Sequence, residues 1–360
     1  MLQTLQPDRP QQIMGSLFDA TSNSLAALLE SWGEPRYRTG QILEWVFKRG
    51  ASSFAQMTNL PTTLRERLTA EMPIYESGIV RHETSGDGTV KLLLQWPDGA
   101  TSECVLIPEG RRQTACISTQ VGCPVECAFC ASGLLGLERQ LSAGQIVEQA
   151  MRVRGLCEDG ARLSNVVFMG LGEPLANSDA TLRAIHTINA EWGMGIGARK
   201  VTVSTVGLPG PIRRLADEKL QITLALSLHA PTDELRRQII PWAERISIES
   251  LIEAVSYYFQ QTGREITLEY ILLGGFNDAE THARELAKVA KRMRSNVNLI
   301  AYNPVEGLPF RRPTSESVVR FLSLLREQGV NTHVRRSRGL DIDAACGQLR
   351  REQGTHLAAG

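Results

Sequence analysis

Between residues 16 and 76 the apolar positions recur at helical spacing. The segment SNSLAALLESW, Ser22 to Trp32, opens with polar capping residues, repeats Leu and Ala every three or four positions, and stops at Gly33, Glu34 and Pro35. A second segment, TGQILEWVFKRG, ends at Gly50, where a glycine can close a helix in the left-handed conformation. A third runs through LRERLTAEM after Pro61. Together these predict a small helical accessory domain over residues 16–80. The residues before Met14 are polar and rich in Pro and Gln, which predicts disorder over 1–15 and makes Met14 a second candidate start.

From Thr89 the period changes to two. TVKLLLQW, a PDG turn, SECVLIP and then TACISTQV predict an antiparallel β-meander, which with its lead-in spans 81–115. Beyond Ala143 strands and helices alternate. The strands expected are 165–171, 200–205, 222–228, 265–273 and 296–303, separated by helical segments such as AGQIVEQAMRVRGL, SIESLIEAVSYYFQQTG and DAETHARELAKVAKRM. This alternation predicts an α/β domain over 116–335 with a parallel sheet, doubly wound or curved into a barrel, followed by a C-terminal segment, 336–360. In either architecture function sits at the carboxyl ends of the strands.

The chain has 360 residues, 42% of them hydrophobic, and 39 Lys and Arg balance 39 Asp and Glu. Nothing approaches the roughly 18 consecutive apolar residues of a membrane span, and the start lacks a basic and then apolar leader, so a cytoplasmic protein without membrane partners is expected. The balance hides an asymmetry, because residues 284–360 hold fourteen Lys and Arg against seven Asp and Glu. A polyanion is one partner for such a segment, and solvated helix faces are the other explanation.

Seven cysteines are an odd number, and three crowd into GCPVECAFCASG as Cys123, Cys127 and Cys130. A reducing compartment with cysteine kept for metal or redox chemistry follows. Three thiolates so close repel unless a metal neutralises them. Tetrahedral zinc would take Cys116 as a fourth ligand. A 4Fe-4S cluster held by three cysteines would leave one iron open to a chelating ligand. CxxxCxxC in this place, with Phe129 between the last two cysteines, resembles the signature of the radical S-adenosylmethionine (SAM) enzymes. That resemblance implies a partial (β/α)6 barrel of the radical SAM type, one 4Fe-4S cluster on Cys123, Cys127 and Cys130, and SAM bound at the open iron and cleaved to a 5′-deoxyadenosyl radical.

Further along, Gly172, Glu173 and Pro174 end a strand, and Ser204, then Ser227, Leu228 and His229, then Asn303 stand at the ends of later ones. Singly, each is an ordinary turn or cap residue; on successive strand ends a barrel would gather them around one ligand. Glu103 in SECVLIP, Cys116 in TACISTQVGC, MGLGEPL, SLHAPTDELR, AYNPV and RRSRGLDIDAACGQL with Cys346 together resemble the RlmN/Cfr family of radical SAM RNA methyltransferases, its RlmN branch more closely, over nearly the whole chain.

The family resemblance implies methylation of adenosine carbon-2 in 23S rRNA and in tRNA next to the anticodon. Carbon-2 of adenine is electron-poor, so displacement on a sulfonium methyl is unfavourable and a radical route circumvents this. Two SAM molecules would be used per turnover. Cys346 would take a methyl group from the first and present it to the radical from the second; Glu103 would remove the ring proton; Cys116 would release the product as a Cys116–Cys346 disulfide. An electron donor for the cluster and a thiol reductant for the disulfide are then required. Gly172, Glu173, Ser204, Ser227, Leu228, His229 and Asn303 would hold SAM. Candidate RNA phosphate contacts are Arg199, Lys200, Arg213, Arg214, Arg311, Arg312 and the Arg335, Arg336 and Arg338 cluster. Two alternatives stay open, Cfr-like carbon-8 methylation and a non-catalytic zinc-containing RNA-binding protein.

Overall fold

The computed structural model describes residues 15–158 and 161–350. The disorder and alternative start expected over 1–15 fall outside the described residues, Gly15 excepted, as does the end of the C-terminal segment.

The N-terminal module holds α1 (Ser22–Ser31), α2 (Tyr37–Leu43) and α3 (Thr62–Glu71). Thr21 starts α1 with a capping box, its hydroxyl accepting from Ser24 N while Ser24 Oγ accepts from Thr21 N. The α2 helix widens into a π turn over Glu44–Lys48. Phe47 in that turn is buried core, whereas Trp45 is only partly covered and carries Arg49 over its ring at 4.5 Å.

Among the described residues ten strands form one sheet. β1 (Gly78–Thr84), β2 (Val90–Gln95), β3 (Thr101–Glu109) and β4 (Arg112–Cys116) are an antiparallel meander. A separate hairpin of β5 (Gln120–Gly122) and β6 (Leu137–Gln140) brackets the cysteine loop, and α4 (Ala143–Arg154) follows. Then come β7 (Leu163–Phe168), α5 (Ser178–Asn189), β8 (Val201–Thr205), α6 (Pro209–Asp217), β9 (Thr223–Ser227), α7 (Asp233–Ile239), α8 (Ile248–Thr262), β10 (Ile266–Leu272), α9 (Glu280–Arg292), β11 (Ser295–Ala301), α10 (Ser315–Glu327) and β12 (Thr332–Arg335). β4 is the joint, antiparallel to β3 and parallel to β7, and from it the strands run parallel to β12 in chain order. A doubly wound sheet reverses its strand order at a switch point. This one never does, which decides for the open, barrel-type arrangement and puts every parallel strand's carboxyl end on one rim.

Period-two alternation located β2, β3 and β4 but not β1, whose residues are exposed almost throughout and so carry no inward apolar set. The strand expected over 165–171 stops at Phe168, because Gly170 N turns to Ile117 O and Leu171 N to Ser118 Oγ.

One apolar core runs from Leu17, Leu29, Phe47 and Leu68 in the helices through Leu92, Leu94 and Leu106 to Ile146, Leu224 and Leu299. Polar bonds reinforce the junction. Asp19 Oδ1 accepts from Gly144 N at 2.7 Å and Oδ2 from Ser142 Oγ at 3.2 Å, capping the start of α4. Arg154 donates to the carbonyls of Phe47 and Lys48, and Lys48 Nζ to Gly193 O. Asp19→Ala removes the cap from outside the helix and is expected to cost about 1–2 kcal/mol, read as a lowered denaturant midpoint at unchanged slope. A midpoint equal to the parent's would show that Ser142 alone suffices.

Candidate functional site

Two adjoining cavities open at the carboxyl rim. The inner one, of about 130 Å³, is lined by Cys123, Cys127 and Cys130, by Gly172 and Glu173 after β7, Ser204 on β8, Ser227 and His229 at the end of β9, and Glu269 on β10. The outer one, of about 350 Å³, is bounded by Cys116, Arg112, Asn303, Arg336 and Arg338. Met169, Ile300, Arg335, Cys346 and Leu349 belong to both linings, so Cys346 stands on the wall between them.

Each inner group is held by main chain. Gly172 has φ +104°, and a Cβ there would lie 2.7 Å from the Gln120 side chain, which itself accepts from Glu173 N. Glu173 Oε1 accepts from Leu175 N and Oε2 from Val206 N, fixing a buried carboxylate whose pKa burial raises to about 7 against the pull of those bonds. Ser204 and Ser227 hydroxyls lie 3.1 Å apart. His229 adopts φ 60° and accepts from Ile271 N on Nδ1, which leaves its proton on Nε2; burial takes its pKa down to about 3, so the ring is neutral. Phe129 packs on it edge to face at 5.0 Å.

The donor set fits a cluster better than a single ion. Among the described residues no three His, Cys, Asp or Glu gather closely enough to hold one metal ion. Zinc needs its sulfurs about 2.3 Å from one centre, whereas a cubane gives each sulfur its own iron. Cys116, the fourth ligand of the zinc alternative, lies at the end of β4 in the outer cavity, apart from the other three. Cys116 thus does not share a cavity with the three cysteines that the zinc alternative would join to it. Burial pushes the Cys123 thiol up to about 12 and Cys127 well above its usual range, so the thiolate forms need a cation. Glu269 Oε2, buried and without a hydrogen-bond donor, looks onto the same cavity with Arg335 Nη1 at 3.5 Å.

The segment Gly339–Arg350 carries Cys346 across this rim. Asp341 accepts from Ser85 Oγ and Gly86 N in the β1–β2 turn, and Gly339 N donates to Asp87. On the other side Gly347 O accepts from Ala131 N, Leu349 O from Ser132 Oγ, and Cys346 O from Asn303 Nδ2 at 3.2 Å. Cys346 is solvent-exposed yet ringed by protein, and this crowding pushes its thiol up to about 11 against the pull of Arg335. Cys116 is buried, its thiol raised to about 12 by burial and then by Cys346.

Several residues sit otherwise than the sequence suggested. The Leu228 side chain is packed in the core and lines neither cavity; its carbonyl accepts from the buried Arg236 instead. Asn303 lines the outer cavity, not the inner, because it is turned by Arg312 and Ser337 toward the Cys346 carbonyl. Glu103 lines neither cavity: it is buried, with Oε1 3.1 Å from Lys91 Nζ and Oε2 accepting from Arg350 N. Cys104, its neighbour, points to the core on the opposite face, as strand alternation requires. Of the candidate phosphate contacts, Arg335 turns inward to Glu269, Arg312 holds Tyr302 O and Asn303, Arg311 holds Gly274 O, and Arg213 and Arg214 pair with Glu253 and Asp179. Arg336 and Arg338 line the outer rim, where Arg338 Nη1 lies 3.8 Å from Asp87 Oδ2. Glu269 and Arg236 were not singled out from sequence, since a lone Glu in an apolar strand and a lone Arg in a helix carry no local signal.

Iodoacetamide treatment of the folded protein, read by peptide mass spectrometry, should label Cys346 first and leave Cys104 unlabelled. Since the Cys346 thiol titrates near 11, its rate should keep rising about tenfold per pH unit from 7 to 9. A plateau by pH 9, or labelling of Cys104 at a similar rate, would contradict this site.

Comparison with known proteins agrees with this layout. Residues 16–74 match the family model of the ribosomal RNA large subunit methyltransferase N-terminal domain, and residues 117–287 that of the radical SAM superfamily. The chain is 43% identical over 338 residues to a dual-specificity RNA methyltransferase RlmN of Rhodopirellula baltica, covering 94% of this chain and 91% of the relative. It is 47% identical over 337 residues to the RlmN of Thermosynechococcus vestitus, covering 94% and 98%. A crystal structure of a radical SAM methyltransferase from Sphaerobacter thermophilus superposes with a TM-score of 0.91 at 44% identity, over 93% of this chain and 99% of that one. With its parallel rim, its three-cysteine loop and these full-length likenesses, the chain belongs to the RlmN family of radical SAM RNA methyltransferases.

Proposed function

We propose that the protein methylates carbon-2 of adenosine in 23S rRNA and in tRNA beside the anticodon, with Cys346 as the methyl carrier. The observation that carries this is the position of Cys346 on the wall shared by the two cavities, with Cys116 lining the outer one. A group attached to its sulfur can face the inner cavity when it is loaded and the outer when it is delivered.

Cys123, Cys127 and Cys130 would hold one 4Fe-4S cluster, and Gly172, Glu173, Ser204, Ser227 and His229 would hold SAM beside it, two molecules being used per turnover. When bound, these groups supply the methyl and the radical chemistry that opens its C–H bond. The chain's own residues do the rest. The Cys346 sulfur takes the methyl group, and Asn303 fixes the backbone on which it swings. Glu103, held at rest by Arg350 N under the segment that carries Cys346, takes the proton from the ring carbon when that tie opens, and the cluster would take back the unpaired electron that carbon–carbon bond formation leaves on the base. Cys116 then attacks the Cys346 sulfur: an S–S bond forms, the bond from that sulfur to the transferred carbon breaks, and its electron pair leaves with the carbon, which takes a proton to complete the methyl group. A thiol reductant restores both cysteines, and an electron donor serves the cluster.

In domain terms, 16–80 is an RNA-facing accessory domain, 81–115 a linking meander that contributes Glu103, 116–335 the catalytic barrel, and 336–360 the carrier segment. Arg336 and Arg338, at the outer rim, are placed to meet phosphates beside the reacting base, and that base must leave its stack to reach Cys346. Among the described residues no helix is long and apolar enough to cross a membrane, in keeping with action in the cytoplasm.

Nucleoside mass spectrometry of 23S rRNA and tRNA, from cells lacking their own such enzyme and given this gene, should show 2-methyladenosine. Cys346→Ala should abolish it. Cys116→Ala should also abolish it but leave RNA joined to Cys346, because the release step is lost. 8-Methyladenosine in its place would move the reaction to carbon-8, and no methyladenosine at all would refute the proposal.

A further inference from the structure

Arg236 on α7 is 1% exposed, and its guanidinium donates only to main chain: Nε to Leu228 O at 3.3 Å, Nη1 to Ile246 O at 3.2 Å and Nη2 to Val206 O. These carbonyls meet its hydrogen bonds and leave its charge unmatched, because among the described residues no carboxylate forms an ion pair with it. Asp233, at the start of the same helix, accepts from Ile248 N instead. Burial lowers the guanidinium pKa to about 10 against the pull of Cys127 and Asp233, so the group is a cation at neutral pH. Buried charges are ordinarily paired, since neutral hydrogen bonds do not offset the loss of water around a full charge.

The counter-charge lies across the contact between α7 and the cysteine loop. Ile239 O accepts from Ala128 N at 3.0 Å, which ties the stretch between Cys127 and Cys130 to the helix that carries Arg236. Val206, Ile239 and Ile240 belong to the apolar cluster against which Cys123, Cys127 and Cys130 pack, and Val206 lines the inner cavity with those cysteines while its carbonyl holds Arg236. Of the charged groups that act most on the Cys127 thiol, Arg236 alone is a cation, against Cys130, Cys123 and Glu173. Water and salt screen such a charge little in an apolar setting.

We propose that Arg236 is the fixed counter-charge of the iron–sulfur cluster held by Cys123, Cys127 and Cys130 and raises its reduction potential. This rests on those cysteines holding a cluster, as in the function proposed above. Three thiolates more than balance the charge of an oxidised cluster core, and reduction adds one further negative charge. A permanent cation walled off from solvent therefore favours the reduced form. Arg236 lines neither cavity, so it is a positioning residue that acts through its field, and no proton or electron passes through it.

The test is the midpoint potential of the cluster in the full chain, loaded anaerobically and titrated with the EPR signal of the reduced cluster as readout. SAM is left out, so that the bond from Val206 N to Glu173 does not enter. Arg236→Gln should make reduction about tenfold less favourable, which is about 59 mV for a one-electron couple. Arg236→Lys keeps the charge, gives up the planar fork over three carbonyls, and should stay within about twofold of the parent. A residue that only holds carbonyls would shift both variants together; that result, or a parent-like potential in Arg236→Gln, would overturn the proposal. If Arg236→Gln takes up no iron, loading decides: retention in Arg236→Lys supports the counter-charge, and loss in both assigns Arg236 to the carbonyls and overturns it. A parent protein that takes up neither iron nor sulfide would refute the cluster assignment itself, whereas a loaded parent with unshifted variants refutes the role of Arg236 alone.

Discussion

The parallel run from β4 to β12, laid down in chain order, is the constraint on which everything at the rim depends. A strand that ran the other way would point its carboxyl end into the opposite solvent, and its polar terminal residue would be lost to the site. Because none does, short-range features of separate segments, a Ser ending β8, a Ser and a His ending β9, a Glu within β10, converge without any long loop to carry them. The antiparallel meander joins this frame through β4, and that is how Glu103, far from the cysteine loop in fold order, comes to lie beneath the carrier segment.

The carrier segment is irregular, and its backbone groups are met individually instead of by a ladder. Its partners come from three distant parts of the chain: the β1–β2 turn, the loop after Cys130, and the loop that holds Asn303. Each such bond is worth about 1 kcal/mol in net terms. A segment held by several weak ties is ordered at rest and still releasable one tie at a time, which suits the carrier role proposed for Cys346.

The sequence was most legible where function demands a local pattern. CxxxCxxC, GEP and the Ser-Leu-His run each announce themselves within a few residues, and the structure brings Cys123, Cys127, Cys130, Gly172, Glu173, Ser204, Ser227 and His229 to one cavity. Legibility failed where the partner is distant in sequence. Arg335 reads as a surface cation among three arginines, but its partner Glu269 lies on a neighbouring stretch of sheet that only the fold supplies. Lys91 sits in an apolar strand and carries no pattern at all; its ion pair with Glu103 comes from the register that sets β2 against β3. β1 escaped for a related reason, since an exposed edge strand has no buried face to imprint a period.

One feature of the core bears on how the molecule holds together. The apolar cluster that begins at Leu17 continues without a break into the sheet and its covering helices, and Asp19 binds the amino end of α4. Helices and barrel therefore share a single cooperative unit. Excising residues 16–74 would remove Leu17, Leu29 and Phe47 and leave the face of α4 that they cover open to water, so the accessory helices behave as an inseparable part of the same body as the barrel.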